Sequence, residues 1–438
     1  MTNCTQEKLT LPACRARMVE VEFIKEDVTS DGGVLLLREI DRKIKLTTEL
    51  EKVIPDPREP SKIKHSLLSM IKQRIYGIAL GYEDLNDHAM LRNDPALQTA
   101  VDQLSVLASS PTLCRMENKA NQKMIFDSNQ LMVEKFIESF TESPTEIILD
   151  FDATENKVHG HQENRHFHGY YGCYCFLPLH VFCGNQLLVS YLRPSNIDGA
   201  KHAWAILSLL VKRIRKSWPM VKIIFRGDSG FCRDLMLRWC ERKQVIYIVG
   251  ISQNNRLNVY SEEMRKRAEE NYNHTKEKQK LLSEFQYAAK SWRNERRVIA
   301  KSEHTDKGGN PRYIVTNEKN LTPQELYEKC YCGRGDMENR IKEIKRGIFS
   351  DRTSCHGWWA NQLRLIFSSM AYILIESTRR IALKNTELES AQCETIRLKL
   401  YKIGGIILRN TRRIRFLLSN HYPKQGLFLE TAKKLCPG

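Results

Sequence analysis

Between residues 146 and 250 the chain sets out its elements in an order that few folds accept. Residues 146–152 (EIILDFD) are apolar and β-branched and read as a strand. Two more strands follow at 174–183 and 186–192, joined at Gly184-Asn185, a pair suited to a hairpin turn. Residues 200–218 read as an apolar helix with a basic end, 221–225 (VKIIF) as a strand, 231–243 as a helix and 245–250 (VIYIVG) as a strand. The order β-β-β-α-β-α-β is a hairpin-extended sheet continued by βαβ crossovers, so the core is α/β.

The flanks read differently. Residues 1–125 are mainly helical. In 62–80, Ile63, Leu67, Ile71, Ile75 and Ile78 share one face while Lys64, Lys72 and Arg74 lie off it, which predicts an amphipathic, basic helix. Glu83, Asp84, Asp87 and Asp94 lie among Gly81, Asn86, Asn93 and Pro95, so they read as caps and turns rather than metal ligands. The stretch 251–320 is polar, charge-rich and too long for a loop, and reads as an inserted subdomain ending in a short strand at 312–315. The tail is helical again, with a basic patch at Arg409, Arg412, Arg413 and Arg415. The expected division is a helical, DNA-binding N-terminal region (1–125), the first part of the core (126–250), the inserted β-containing subdomain (251–320), a helix completing the core (321–350) and a helical C-terminal region (351–438).

Charge narrows the partner. Against 52 acidic residues stand 69 lysines and arginines, a net charge of +17, which suits a polyanion and nucleic acid first. The 13 cysteines are scattered and odd in number and no signal peptide precedes them, which predicts a reduced, cytoplasmic chain rather than a disulfide framework. No apolar run approaches the roughly 18 residues a membrane span needs.

Asp152 ends the first strand in DFDATE, and Asp228 ends the fourth in RGDSGF. Carboxylates at the carboxyl ends of neighbouring strands converge on the crevice of an open sheet. Asp150, two residues before Asp152, points to the same side and is the alternative for the first position; the strand-end placement favours Asp152. Asp228, before Ser-Gly, could instead cap the following helix.

Farther on, YCGRGDMENRIKEIK places Tyr331, Arg334, Glu338 and Lys345 at i, i+3, i+7 and i+14. At roughly 100° per residue these fall within about 60° on one helix, with Asp336 and Glu343 on the opposite side. One carboxylate flanked by two cations and a phenol can hold a metal ion while gripping the phosphates that the metal works on. Together, Asp152, Asp228 and Glu338 can bind two divalent cations about 3.5–4 Å apart for in-line attack on a phosphodiester, and Mg²⁺ suits oxygen ligands with open positions. A separate crowd, His159, His161, His166, His168, Cys173, Cys175, His180 and Cys183, is spaced H-x-H and C-x-C rather than C-x2-C. It reads as packed core thiols rather than a zinc site, with His159 and His161 close after the catalytic strand.

The element order, the three acids and the spacing Y-x2-R-x3-E-x6-K resemble the DDE transposases of bacterial insertion sequences, in the group with a β-rich insertion before the glutamate. The segments SKIKHSLLSMIKQRIYGIALGYEDLND, DFDATENKVHGHQE, GYYGCYCFLPLHVF, RGDSGF and ANQLRLIFSSMAY narrow the likeness to the family numbered thirteen-eighty in the insertion-sequence classification. The resemblance implies a ribonuclease-H-like core that performs cut-and-paste DNA transposition, with Asp152, Asp228 and Glu338 carrying two Mg²⁺ ions (Mn²⁺ able to substitute). A 3′-hydroxyl would be released at the element end by hydrolysis; in this group it commonly attacks the opposite strand to form a hairpin, which is reopened before joining to target DNA.

The same resemblance implies that Tyr331, Arg334 and Lys345 position the terminal phosphates. Trp292, the one Trp of the insertion, would stack a flipped base, its alternative being a place in the insertion's own core. The implied partners are double-stranded DNA with terminal inverted repeats and target DNA. The implied protein is a homodimer or higher oligomer on the nucleoid of a bacterium. Two rival readings remain. A ribonuclease-H-like nuclease or resolvase without strand transfer would need the acids but not the four-residue stripe. A non-catalytic DNA-binding derivative of a transposase would have no need to keep all three acids.

Overall fold

A mixed sheet runs through the middle of the computed structural model, which describes residues 8–436. Its strands are β1 (Glu146–Ala153), β2 (Leu179–Cys183), β3 (Gln186–Tyr191), β4 (Lys222–Gly227), β5 (Ile246–Ile251), β6 (Gln279–Tyr287), β7 (Arg296–Thr305) and β8 (Arg312–Thr316). They lie in the order β6-β7-β8-β5-β4-β1-β2-β3, and Gly308–Gly309 adds a ninth short strand against β7. β4 runs parallel to both β1 and β5, while the remaining pairs are antiparallel.

The pleat explains why these segments take this form. Ile147, Leu149, Phe151, Ile223, Phe225, Tyr247 and Val249 are buried together on one face, under the helices Ala203–Ser217 and Asp234–Arg242. Ile224, Ile248, Ile299 and Ile314 are buried on the other, against Leu326 and Tyr327. A sheet covered on both sides needs near-continuous apolar strands, and EIILDF, KIIF and IYIVG supply them. Asp150 and Asp152 alternate with Phe151 and Leu149, so they belong to the second face, the one covered by the segment that leads to Glu338.

The Gly184-Asn185 turn joins β2 and β3, with Gly184 at φ +58°. The strand read over 174–183 is broken by Pro178, which has no N–H to donate. Cys173–Phe176 pairs instead with Asn156–Lys157 and His166–His168 in a small separate sheet. Residues 251–320 also depart from the expectation of a separate insertion. After the helices Asn255–Tyr260 and Glu262–Thr275, the strands β6, β7 and β8 extend the central sheet, with β8 paired antiparallel to β5. The consecutive Val298, Ile299 and Ala300 of β7 and the short strand read at 312–315 are the hints of this within a polar stretch.

The helices before and after the sheet share one core. Val34–Ile44, Leu46–Val53, Leu67–Leu80 and Gln122–Glu138 pack with the long helix Trp358–Ala382. Leu67–Leu80 is not the basic, amphipathic helix its periodicity predicts. It starts at Leu67, where the Ser66 hydroxyl accepts from the Ser69 amide, and it is buried nearly all round. Lys72 lies 2.8 Å from Asp102, and Arg74 lies 2.7 Å from Glu117 with the two side chains 0% and 1% exposed. Arg74 balances a buried carboxylate and the buried Lys72 an exposed one, so neither cation is free on the surface.

Strands appear in both flanks where helix is expected. Leu9–Cys14 pairs with Arg17–Val21, and Asp27–Thr29 joins Gly405–Arg409 and Ile414–Leu418 in a three-stranded sheet. GIILR and IRFLL are β-branched and aromatic around an Asn410 turn, which favours strands over helix. Arg412 and Arg413 sit in that turn, exposed. The acidic group of the N-terminal region serves as caps and ion pairs: Asp94 accepts from the Leu97 amide, Asp87 from the Asp84 amide, and Asp84 meets Arg352 and Arg364. Among the described residues no helix is long and apolar enough to cross a membrane.

Arg74→Ala is expected to lower unfolding free energy by about 3–5 kcal/mol, because it strands the Glu117 charge in the core. Urea denaturation measures this, and DNA affinity of the folded variant should match the parent. Lost affinity with unchanged stability would return this helix to a DNA-contact role.

Candidate active site

Asp152 stands near the end of β1, directly across from His180 of β2. Its neighbour Asp150 is engaged elsewhere. That carboxylate, 3% exposed, is gripped by both arms of the Arg226 guanidinium, Nε on Oδ1 and Nη2 on Oδ2 at 2.7 Å. The remaining Nη1 of Arg226 donates to the Cys330 carbonyl. Burial pushes the Asp150 carboxyl up and Arg226 opposes it. A carboxylate locked in this way is structural, which leaves Asp152 as the acid facing the crevice.

Asp228 leaves β4 with extended backbone, and its Oδ1 accepts from the Gly230 amide at 2.8 Å. It caps the turn Ser229–Phe231, the alternative role read from the sequence, at the end of its strand. Glu338 lies in the helix Arg334–Ile348 with its side chain 49% exposed. Arg334 joins the acids: its Nη2 is 2.5 Å from Glu338 Oε1 and its Nη1 is 3.3 Å from Asp152 Oδ2. The Asp152 carboxyl is pushed up to about 7, chiefly by burial, with the charges of Asp228 and Glu338 adding to the shift and Arg334 opposing it. The three acids therefore feel one another.

Tyr331 arrives by a different route from the one its spacing suggests. The predicted helix through 331–345 is interrupted: Glu325–Tyr331 is a π-helical turn, and the α-helix begins at Arg334. Gly333 permits the junction, since a Cβ there would lie 2.8 Å from Arg226 Nη1. Gly250, within β5, permits Tyr331 to approach, since a Cβ there would lie 2.6 Å from the phenol oxygen and 3.3 Å from the Asp228 carbonyl carbon. Burial raises the Tyr331 phenol; Asp228 adds to the shift and Arg334 opposes it. The phenol thus reaches Asp228 although it lies outside the helix that carries Glu338.

Lys345, two turns beyond Glu338, does not touch the three acids. Its Nζ donates to the Glu155 carbonyl and lies 3.4 Å from Glu155 Oε1, just beyond the end of β1. Trp292 is likewise apart. It sits half-buried in the connection from β6 to β7, edge-on to Tyr287 at 5.6 Å and with the Arg296 guanidinium 5.0 Å from its ring centre.

The histidines and cysteines also separate. His166 and His168 face Cys175 and Cys173 across the small sheet, and His161 meets Arg165. His180 is buried against Ser190, its imidazole pushed down to about 3 by burial and by the nearby Lys345 and Arg193, so it stays neutral beside Asp152. Sequence reasoning passed over Arg226, Gly250 and Gly333. The signal for Arg226 was present: an arginine inside the apolar strand VKIIFRG has to find a buried counter-charge.

The donor set suits Mg²⁺ in kind: three carboxylates supply hard oxygen ligands, and the raised Asp152 carboxyl marks a place where added positive charge is favoured. Among the described residues, however, no three His, Cys, Asp or Glu side chains converge closely enough to hold a metal ion. The Arg334 guanidinium lies between Asp152 and Glu338 and stands where a cation would be shared.

The model of a family described as "Transposase DDE domain group 1" matches residues 11–437. None of the curated proteins matches the chain. Among solved structures, a piggyBac transposase synaptic complex with hairpin DNA aligns over 86% of this chain and 82% of that one, at 12% identity and a TM-score of 0.41.

Two outcomes follow from the geometry. Gly250→Ala should destabilise the fold by about 1–3 kcal/mol through overpacking, and Tyr331→Phe placed in the same chain should recover part of that loss; denaturation of the single and double variants measures it. The second concerns pH. A carboxyl held at about 7 in the fold against 3.8 when free keeps its proton longer folded than unfolded. In EDTA, then, stability should fall as pH rises from about 4 to about 7 and level off above. Asp152→Asn lacks that component, so the melting-temperature difference between wild type and variant should move against wild type across this window. A flat difference would refute the shift.

Proposed function

The chain belongs to group 1 of the transposase DDE domain family, a family of DNA-cleaving and DNA-transferring enzymes, and from that premise we propose that it moves DNA by a cut-and-paste route with Asp152, Asp228 and Glu338 as its catalytic carboxylates. The observation that carries this reading is the bridge made by Arg334 between Asp152 and Glu338, with the charge of Asp228 acting on both Asp152 and Tyr331. The acids come from the ends of two adjacent parallel strands and from one helix, as a phosphodiester clamp requires. The strand order β3-β2-β1-β4-β5, antiparallel and then parallel, supports a ribonuclease-H-like core for 126–250, completed by the helix in 321–350.

Mg²⁺ held by the three carboxylates would polarise the phosphodiester and ready water or a 3′-hydroxyl for in-line attack. The side chains around them handle the DNA. Arg334 presents a planar fork that matches two phosphate oxygens, so an incoming phosphate competes with the carboxylates for it. Tyr331 offers a hydroxyl beside Asp228, and Lys345 adds a point charge farther along the same helix. His180 stays neutral and brings no competing cation to Asp152. Trp292, half-exposed beneath Arg296, is the aromatic proposed to stack an extruded base. The partners are duplex DNA with inverted-repeat ends and a target duplex, and bringing two ends together calls for a dimer or larger assembly.

Glu338→Ala should abolish Mg²⁺-dependent strand cleavage while leaving DNA affinity within a few-fold of wild type, because binding rests on many phosphate contacts. Cleavage that survives in the variant would remove Glu338 from the catalytic set. Short inverted repeats flanking the gene are the expected genomic counterpart.

A further inference from the structure

The helix that carries Glu338 continues past it with Lys342, Lys345 and Arg346, offset by four, seven and eight residues and so on the same side of the helix. They form one wall of a groove of about 680 Å³, with Lys157 and His159 from the segment after β1 and Arg352 from the loop after the helix completing it. Lys345 and Arg352 are held by Glu155 and Asp84. Lys157, Lys342 and Arg346 are exposed and make no ion pair or side-chain hydrogen bond among the described residues. The groove also contains acids. Glu155 is paired with Lys345, Glu83 lies 3.7 Å from Arg352, and Asp351 has no cationic partner within salt-bridge distance. Three free cations against one free carboxylate leave the groove positive where most neighbouring charges are already matched.

The arrangement is elongated rather than convergent. Lys342 and Arg346 are one helical turn apart, about 6 Å along the axis, and Lys342 is the same distance beyond Glu338. Lys157 lines the same groove from the short strand Asn156–Lys157. A compact anion would be gripped by cations that meet at a point, whereas a linear file with a periodic step suits a polymer with one charge per unit. The file begins at the carboxylates, so a strand whose phosphodiester lies between Asp152 and Glu338 would run straight into it.

We propose that this groove is a DNA-backbone track continuous with the carboxylates, in which Lys157, Lys342 and Arg346 each neutralise a phosphate. The assignment of the track as the exit from the cleavage point rests on the catalytic reading above; the binding itself does not. A single strand and a duplex present the same phosphates, and two probes separate them.

The test is the salt dependence of binding to a 30-bp duplex and to a 30-nucleotide single strand of arbitrary sequence, read by fluorescence anisotropy on the full chain. Each lost contact flattens the slope of log affinity against log salt by about 0.9 on duplex and about 0.7 on single strand. Lys157→Ala/Lys342→Ala/Arg346→Ala should therefore flatten it by about 2.7 or about 2.1, on whichever probe the track grips, and weaken binding at low salt by tenfold or more. A control that removes three exposed lysines elsewhere, Lys212→Ala/Lys216→Ala/Lys433→Ala, lowers net charge equally and should change the slope by less than about 1. A groove variant that behaves like the control on both probes overturns the proposal. Mg²⁺-dependent nicking by the wild-type chain, run alongside, keeps the two readings apart. Groove-dependent binding without nicking would sink the catalytic reading and leave the track, whereas nicking with an unchanged slope in the groove variant would do the reverse.

Discussion

The architecture of the candidate site depends on one guanidinium buried inside the sheet. Arg226 projects from β4 into a face otherwise lined with isoleucines, a position that is tolerable only if its charge and donors are satisfied. Asp150 on the neighbouring parallel strand takes two of its donors and the Cys330 carbonyl a third. The same contact therefore ties together β1, β4 and the turn that delivers the catalytic helix. It also explains why two aspartates on one side of β1 have different fates: the inner one neutralises Arg226, and the outer one is left to face the crevice. Removing either member would leave an unpaired charge at the point where three elements meet.

Around that anchor the fold distributes charge with a consistent logic. Burial, with the charges of Asp228 and Glu338 adding to it, pushes the Asp152 carboxyl up to about 7, and Arg334 stands between Asp152 and Glu338 as a protein-supplied counter-ion. His180, adjacent to Asp152 on the next strand, is kept uncharged by burial and by cations nearby. In the N-terminal helices the opposite solution operates, with Lys72 and Arg74 drawn inside and matched by Asp102 and Glu117. Basic composition alone does not locate a DNA-binding face; what distinguishes the surface cations is the absence of a partner.

How much of this was legible in the sequence follows from how local each cause is. The strand order could be read because β-branched runs and Gly184-Asn185 act within a few residues. Glu338 and Arg334 could be paired because helical offsets are arithmetic. Pro178 carried a legible break that the apolar run around it masked. The π-helical turn at Tyr331 depends on Arg226, some hundred positions away, and no periodicity near residue 331 encodes it. Leu67–Leu80 misled because an amphipathic pattern is silent about a second helix that buries the polar side too. The strand at 312–315 could be read, but β6 and β7 were hidden because a sheet edge with polar outer residues resembles a solvated loop until its neighbours are known.

The long helix Trp358–Ala382 has a consequence for how the chain comes into being. It packs among the N-terminal helices, and through Gln362 and Tyr372 it also holds the backbone of Leu192 and Asn185 at the edge strand of the sheet. On a ribosome this helix emerges long after the helices Val34–Ile44 and Leu67–Leu80 that it packs against, so those must wait for it with their apolar faces open. An incomplete chain could hold Asp152 and Asp228, and even Glu338, without a finished body to set them in. For an enzyme that breaks DNA, placing the keystone of the fold after all three carboxylates delays a finished site until the chain has been made well past them.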